Sequence, residues 1–576
     1  MKTPLEEYPL YDVPEIRALR DILLRGAAVH PDNLAVADLN PTPLPRLSYA
    51  ALASAVARFG AALLTRGLSP RDHIAVISEN RVQWGVAYLA AVCHNLVVVP
   101  IDAKLRENEI LTILRASGAR AAVFSENFRD MFDGFRHSTP RLDVLIDMDL
   151  PVHRDHLHSM MEMIAGEKDP GAGVSFPDTD PDAMAVIVFT SGSMGSAKGV
   201  MLSQTNICAN LRGMLQMVDI PPTDRFLSVL PIHHTYECTC GFLCPLVTGA
   251  SVHYARSLKS IADDMVSVKP TIVLGVPLLF EKMYRRIMQA IAEKKAVARL
   301  LRPIMTVVTV LEGIGLAGAR RKLFHEVHER FGGAIRLLIV GGAAPDPEIA
   351  RGFRMLGFGF IQGYGLTETA PIVALNRARK FRDEAAGLPL PGVTVRIAEP
   401  DAEERGEILV SGPNVMLGYY NNPDATNAVL REGWFNTGDV GSIDQHGFLH
   451  INGRRKNVII ARNGKNVFPE EIEEHVNKIP CVLESMVYGD RSETDDEIIA
   501  VLIVPDANAV YDRLNADGTA VTPEAVAHML QEEITRLNKR LPVYKQIRKV
   551  RIKDTEFEKT TTQKIKRYLV EKVDTE

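Results

Sequence analysis

Ala185-Val-Ile-Val-Phe-Thr-Ser-Gly-Ser-Met-Gly-Ser-Ala-Lys-Gly199 begins as a β-rich apolar run and then breaks into glycines, hydroxyls and one lysine. The same change occurs where Leu337-Leu-Ile-Val340 leads into Gly341-Gly-Ala-Ala344, and where Phe360-Ile361 leads into Gln362-Gly-Tyr-Gly365. Helix-like segments separate such runs through most of the chain, which is the pattern of α/β layers with mostly parallel strands. Ligands usually bind where strands of this kind end in loops.

The loop after Phe189 has the composition to hold polyphosphate. Glycines let main-chain N–H groups close on phosphate oxygens, hydroxyls add donors, and Lys198 adds charge. Thr190, Ser191, Gly192, Ser193 and Lys198 are the candidate contacts. A Walker A loop has glycine before its lysine and Ser or Thr after it, whereas Ala197 and Gly199 stand there. Taken alone, the loop also reads as a flexible surface turn.

From about Glu407 the pattern changes to short strands with polar turns, such as Gly406-Glu-Ile-Leu-Val410 and Gly447-Phe-Leu-His-Ile451. This reads as a smaller β subdomain. Beyond Gly453-Arg-Arg-Lys456 the chain reads as a compact α+β unit of its own. Pro469 followed by Glu470 and Glu471 suits a first helical turn, because proline lacks the orphan donor and the acids complement the dipole. Thr522-Pro523 opens another helix, with Val526, Met529, Leu530, Ile534, Leu537 and Leu541 marking one buried face. No internal repeat or low-complexity tract is visible.

The 576 residues are 46% hydrophobic and 24% charged, which suits a soluble enzyme with a sizeable core. The net charge of -5 and the scattered Lys and Arg argue against nucleic-acid binding through a basic face. Cys93, Cys208, Cys238, Cys240, Cys244 and Cys481 are too few and too uneven to staple such a chain, so a reducing, cytoplasmic setting is expected. The opening MKTPLEEYPLYDVPEIR does not read as an export signal. The apolar stretch at 303–311 falls far short of the ~20 residues that cross a bilayer. It reads as a core helix, with peripheral membrane contact the alternative.

Several segments, taken in order, resemble the adenylate-forming family, which includes acyl-CoA synthetases, luciferases and peptide-synthetase adenylation domains. They are TSGSMGSAKG (190–199), PIHHTYE (231–237), GGAAP (341–345), QGYGLTETAP (362–371), GEILVSG (406–412), GWFNTGD (433–439) and GRRKNVIIARNGKNVFPEEIE (453–473). The resemblance implies a large α/β domain over 1–452, a hinge at 453–456 that includes Lys456, and a small mobile α+β domain over 457–576. It also assigns roles. Tyr364 would lie against adenine beside the backbone of Gly342 and Ala343. Glu368 would hold Mg2+, since a carboxylate next to triphosphate needs a cation between them, and Thr367 would donate to a phosphate oxygen. Asp439 would accept from both ribose hydroxyls, and Arg454 would contact ribose and phosphate. His234 would stand beside the acyl and thiol channels. Lys564, in KTTTQKIKR (559–567), would be the adenylation lysine.

Each residue also has an ordinary structural reading: a helix-start acid for Glu368, a turn aspartate for Asp439, solvated cations for Arg454 and Lys564, and a packed core histidine for His234. This sequence departs from the family pattern at Met194, Ala197, Asn457 and Gln563, where threonine, proline, an acid and glycine are usual. The cluster His233, His234, Cys238, Cys240 and Cys244 lacks the paired spacing of common zinc sites and reads as buried thiols on an apolar helix. His325-Glu-Val-His328 is one residue too short for a zincin, and His153-Arg-Asp155 lacks the kinase asparagine, so both read as surface histidines.

Within the family, PIHHTYE, LGVPLLFEKMYRRI (274–287) and GGAAPDPEIARGF (341–353) most resemble long-chain fatty-acid CoA synthetases. The resemblance implies ATP, Mg2+ and coenzyme A as cofactors and cosubstrate, with a fatty acid as the small-molecule substrate. One rival is an acyl-AMP ligase that delivers to a carrier-protein phosphopantetheine. The other is a catalytically silent acyl or nucleotide sensor, against which Lys198, Glu368, Asp439, Arg454 and Lys564 stand together.

Overall fold

The run that begins at Ala185 is a strand, Met184–Thr190, in the computed structural model, and its Ala185 to Val188 portion is buried. The structure describes residues 8–135, 138–139, 141–167, 173–190, 197–293, 318–460, 465–491, 497–560 and 564–570. Ser191, Gly192, Ser193, Met194, the apolar stretch 303–311 and Gln563 lie outside the described residues.

The chain forms two compact units: Met1–Val395 with Val410–Phe435 and Gln445–Phe448, and Arg396–Leu409 with Asn436–Asp444 and Leu449–Glu576. Two large sheets dominate the first. Among the described residues, eight strands form one sheet, in which Met184–Thr190 pairs with Val97–Pro100 in parallel and with Lys198–Ser203 in antiparallel fashion. Nine form the other, where Arg225–Ser228, Ile272–Gly275, Leu337–Val340 and Gly359–Gly365 run side by side in parallel. The helix Val82–Cys93 is buried at every position and touches strands of both sheets. A helix apolar on all sides belongs in such a middle layer.

Gln362-Gly-Tyr-Gly365 was expected to be a loop, yet it continues the strand Gly359–Gly365 and pairs with Ile372–Leu375. Glycine makes this possible. A Cβ on Gly365 would lie 1.9 Å from the Pro371 carbonyl oxygen, so only a bare backbone fits the turn. A second correction concerns His328. It is 2% exposed, its Nε2 lies 2.9 Å from the Leu356 carbonyl oxygen, and its ring stacks on Phe358 at 4.0 Å. The short helix His325–Glu329 turns that side chain inward, while His325 stays exposed. His153 is half-buried, with Nε2 2.9 Å from Arg66 Nη2.

In the second unit, Leu449–Arg454 pairs with Trp434–Ile443 so that Asp439 and Arg454 stand opposite each other. A three-stranded sheet of Val482–Arg491, Glu497–Pro505 and Lys549–Ile552 carries the helices Pro469–Val476 and Pro523–Asn538. Pro469 and Pro523 occupy first-turn positions, and the Thr522 hydroxyl accepts from the Ala525 N–H at 3.2 Å. Met529, Leu530 and Ile534 bury the inner face as the periodicity requires, although Leu541 lies past the helix end.

Candidate active site

In the first unit, candidate residues gather where strands end. Thr190 and Lys198 face each other across the antiparallel pair, and the Thr190 hydroxyl lies 3.4 Å from the Lys198 carbonyl oxygen. The Lys198 ammonium sits 4.8 Å from the ring centre of Tyr419. The Tyr419 hydroxyl donates to Glu368 Oε1 at 2.9 Å. One aromatic side chain therefore links the loop lysine to the expected metal carboxylate, with a cation–π contact on its face and a charge-assisted hydrogen bond at its tip. The backbone reinforces this, because the Glu368 carbonyl accepts from Met416 N at 2.8 Å and the Gly199 carbonyl from Tyr420 N at 2.7 Å. Tyr419 carries no motif signal of its own. Its two partners lie far away in the chain, so only the pairing of Gly418–Tyr419 with Lys198–Ser203 reveals it.

Thr367 is buried at the start of a one-turn helix, Thr367–Thr369, and Glu368 is half-buried beside it. Tyr364 is half-buried on the adjoining strand, while Gly342 and Ala343 are exposed at the end of Leu337–Val340. These two segments are neighbours because Val340 pairs with Gln362. His234 approaches the same strand ends through Tyr236. The Tyr236 N–H donates to His234 Nδ1 at 3.2 Å, and the Tyr236 hydroxyl donates to the Ile339 carbonyl at 3.2 Å. A Cβ on Gly341 would lie 2.6 Å from the Tyr236 ring, so the first glycine of that loop makes room for the aromatic.

Tyr236 opens a buried π-helical segment, Tyr236–Leu243, that continues into the helix Cys244–Thr248. Single π-turns recur at functional sites. Its cysteines are free and buried, and burial pushes Cys238 and Cys244 up to about 12. Among the described residues no group of three or more His, Cys, Asp or Glu could hold a metal. The same segment buries Glu237, which sequence reading passed over. Burial pushes its carboxyl up to about 8, with the Ser228 hydroxyl pulling the other way. Neither carboxyl oxygen makes a hydrogen bond of standard geometry among the described residues.

An apolar cavity of about 30 Å³ lies beside this segment, lined by Tyr236, Cys240, Cys244, Met214, Leu375 and Gly363 among others. Ile339, Val340 and Gly363 adjoin the glycine loop and Tyr364, and Val218, Ile220 and Leu375 also line the cavity.

The second unit brings together three more candidates. Arg454 Nε lies 2.7 Å from Asp439 Oδ1, and the Asp439 N–H donates to the Thr437 hydroxyl at 3.1 Å. Lys564 lies within electrostatic reach of both. Although Lys564 is exposed as a residue, desolvation near its ammonium lowers its pKa, Arg454 lowers it further, and Asp439 opposes them. The Thr560 N–H donates to the Lys564 carbonyl at 2.8 Å, and nearby Lys559 pairs with Glu484. Lys456 lies in the single turn Arg455–Asn457. Asn457 donates to Glu470 at 2.7 Å.

Comparison with known proteins matches this arrangement to a family. Residues 23–420 match the AMP-binding enzyme model, and residues 456–573 match the AMP-binding enzyme C-terminal domain. The long-chain-fatty-acid–CoA ligase FadD15 of Mycobacterium bovis is 27% identical over 537 residues, covering 88% of this chain and 87% of the relative. A feruloyl-CoA synthase of an Amycolatopsis species is 29% identical over 481 residues, covering 80% of this chain and 84% of the relative. Among solved structures, ATP-bound MatB from Rhodopseudomonas palustris superposes with a TM-score of 0.75 at 25% identity, covering 97% of this chain and 99% of that one. The chain belongs to the AMP-binding enzymes, the adenylate-forming acyl-CoA ligase family. It is a ligase that uses ATP and Mg2+ and takes coenzyme A as cosubstrate. Among the described residues no helix is long and apolar enough to cross a membrane.

Proposed function

We propose that this enzyme activates a long-chain fatty acid as acyl-AMP, releasing pyrophosphate, and then transfers the acyl group to coenzyme A. The observation that carries the choice of acid is the cavity, whose walls are aliphatic, aromatic and thiol side chains adjoining the glycine loop. An apolar site with no fixed charge favours an alkyl tail over a polar or charged acid. The similarity to a long-chain ligase supports the same choice.

In this reading Thr190, Ser191, Gly192, Ser193 and Lys198 hold the phosphates, and Thr367 donates to one of their oxygens. Tyr364 lies against adenine, with Gly342 and Ala343 supplying backbone beside it. The Glu368 carboxylate would hold Mg2+ against the phosphates, and the ion would offset their negative charge as the acyl-adenylate forms. Tyr419 fixes that carboxylate. Asp439 and Arg454 take the ribose hydroxyls and adjoining phosphate, Lys564 acts on the reacting phosphate, and His234 stands by the acyl carbonyl. Residues 453–456, with Lys456 at their end, form the hinge between a domain over 1–452 and one over 457–576. The free, buried cysteines suit a cytoplasmic setting.

Pyrophosphate release with ATP and carboxylates of graded length, with and without coenzyme A, tests the reading. Palmitate should outperform acetate, benzoate and ferulate, and coenzyme A should be consumed. Release of ADP, or better turnover of a short or aromatic acid, would overturn it. Transfer to a carrier-protein phosphopantetheine in preference to coenzyme A would assign the second step to the other thiol.

A further inference from the structure

Two short stretches, 557–560 and 564–567, lie antiparallel, and Lys564 begins the second. Lys559 bridges Ile565, the Lys564 N–H donates to the Thr560 hydroxyl at 3.2 Å, and the Lys566 N–H donates to the Glu558 carbonyl at 2.8 Å. An ion pair anchors each stretch. On the first, the Lys559 ammonium pairs with Glu484 of the strand Val482–Arg491, and the other oxygen of that carboxylate accepts from the Phe557 N–H at 3.3 Å. On the second, the Arg567 guanidinium pairs with Glu473 of the helix Pro469–Val476. It also donates to the Val487 carbonyl at 2.8 Å, while Glu473 accepts from the Val487 N–H at 2.6 Å. Between the anchors Phe557 is buried with Met486, Leu502 and Val504, and Ile565 packs against the same cluster.

Val482–Arg491 is an end strand of its sheet, and such a strand presents backbone groups that need partners. Glu473 and Arg567 take both of those of Val487, so the second stretch is fastened to the sheet edge through charge and backbone together. The two pairs are largely buried, with side-chain exposures of 16% and 13% for Lys559 and Glu484, and of 21% and 13% for Arg567 and Glu473. Salt screens buried pairs far less than exposed ones. Lys559 and Arg567 are thus occupied in holding the chain, whereas the Lys564 ammonium interacts with Arg454 and Asp439. A cation stabilises a transition state best when it is fixed before the charge develops. The four-carbon stem of a lysine is flexible, so the backbone on either side must supply that fixity.

Resting on the reading of Lys564 as the adenylation lysine, we propose that the pairs Arg567–Glu473 and Lys559–Glu484 are positioning residues that hold the chain on both sides of Lys564 for adenylation and play no part in thioester transfer. They act through Lys564 alone. Their effect falls on kcat, because the ribose contacts of ATP belong to Asp439 and Arg454 in that reading.

Removing one partner of a pair would strand a buried charge, so the test neutralises both at once: Arg567→Met with Glu473→Gln, and Lys559→Met with Glu484→Gln. Each glutamine keeps an acceptor for the Val487 or Phe557 N–H. Either double variant should lower the kcat of pyrophosphate release by about tenfold, short of the ~10²–10³ expected for loss of the lysine itself. The KM for ATP and the rate of CoA transfer from supplied acyl-AMP should stay within about twofold of wild type. In a Lys564→Ala background neither double variant should lower pyrophosphate release further, because its effect runs through the missing ammonium. Further loss in that background, or an equal fall in both half-reactions in folded protein, would make the pairs structural alone. An unchanged kcat in both double variants, beside a large loss in Lys564→Ala, would defeat the positioning and leave the role of the lysine standing. No loss in Lys564→Ala would overturn that role and the proposal with it.

Discussion

Tyr419 shows how much a single residue can couple. Its ring carries Lys198 and its hydroxyl carries Glu368, so Tyr419→Phe separates the two duties. The phenylalanine keeps a ring face for the lysine and loses the hydrogen bond that orients the carboxylate. A bond to a charged acceptor contributes ~1.5–3 kcal/mol, so the Mg2+ concentration for half-maximal pyrophosphate release should rise by about tenfold. An unchanged Mg2+ dependence would remove Tyr419 from the site. Asp439→Ala should weaken ATP binding by a similar factor, read by equilibrium dialysis on folded protein, because in the proposed reading the ribose loses a charged acceptor, and Arg454 loses its 2.7 Å partner. Equal ATP affinity in wild type and variant would leave Asp439 an ordinary turn residue. The contrast between these residues explains what sequence can show. Asp439 and Arg454 sit in contiguous segments whose spacing survives in a linear string, while Tyr419, Arg567 and Glu237 matter through partners that only folding brings near.

The π-helical segment Tyr236–Leu243 carries a pH dependence that follows from burial. Glu237 is 1% exposed and its carboxyl is raised from 4.5 to about 8, with Tyr254, Cys238 and Tyr236 nearby and Ser228 opposing the shift. A raised carboxyl means that the folded protein holds the proton more tightly than the unfolded chain. Its contribution to stability is therefore complete below about pH 4.5 and is lost as pH rises to about 8. Within that window the loss approaches 1.4 kcal/mol per pH unit. Glu237→Gln stays neutral throughout, so denaturant melts between pH 5 and 8 should show the wild type losing stability relative to the variant. Parallel curves would mean that Glu237 is ionised or solvated. At this scale the helix Pro523–Asn538 was legible from periodicity and its Thr-Pro start. The strand through Gln362–Gly365 was not, because its glycines signal turns, and only the approach of Pro371 shows why they are needed.

For the whole molecule, the division of chemistry between two units leads to a test of Lys564. This lysine lies in the second compact unit, whereas Lys198, Thr367 and Glu368 belong to the first. When ATP is attacked by the carboxylate, negative charge shifts onto the departing pyrophosphate. A preorganised cation at the reacting phosphate then stabilises the transition state more than it stabilises bound ATP. Loss of one such group typically lowers the rate by ~10²–10³. Thioester formation has different needs, since a thiolate attacks a carbonyl already activated by AMP. Lys564→Ala should nearly abolish pyrophosphate release yet leave CoA transfer from supplied acyl-AMP largely intact. The lowered pKa of Lys564 adds a second readout: the ammonium deprotonates at lower pH than an ordinary lysine, so the alkaline limb of adenylation should begin early and move upward in Lys564→Arg. Equal loss of both half-reactions in folded protein would make Lys564 a structural residue, because removing a cation that serves one transition state leaves the other barrier where it was.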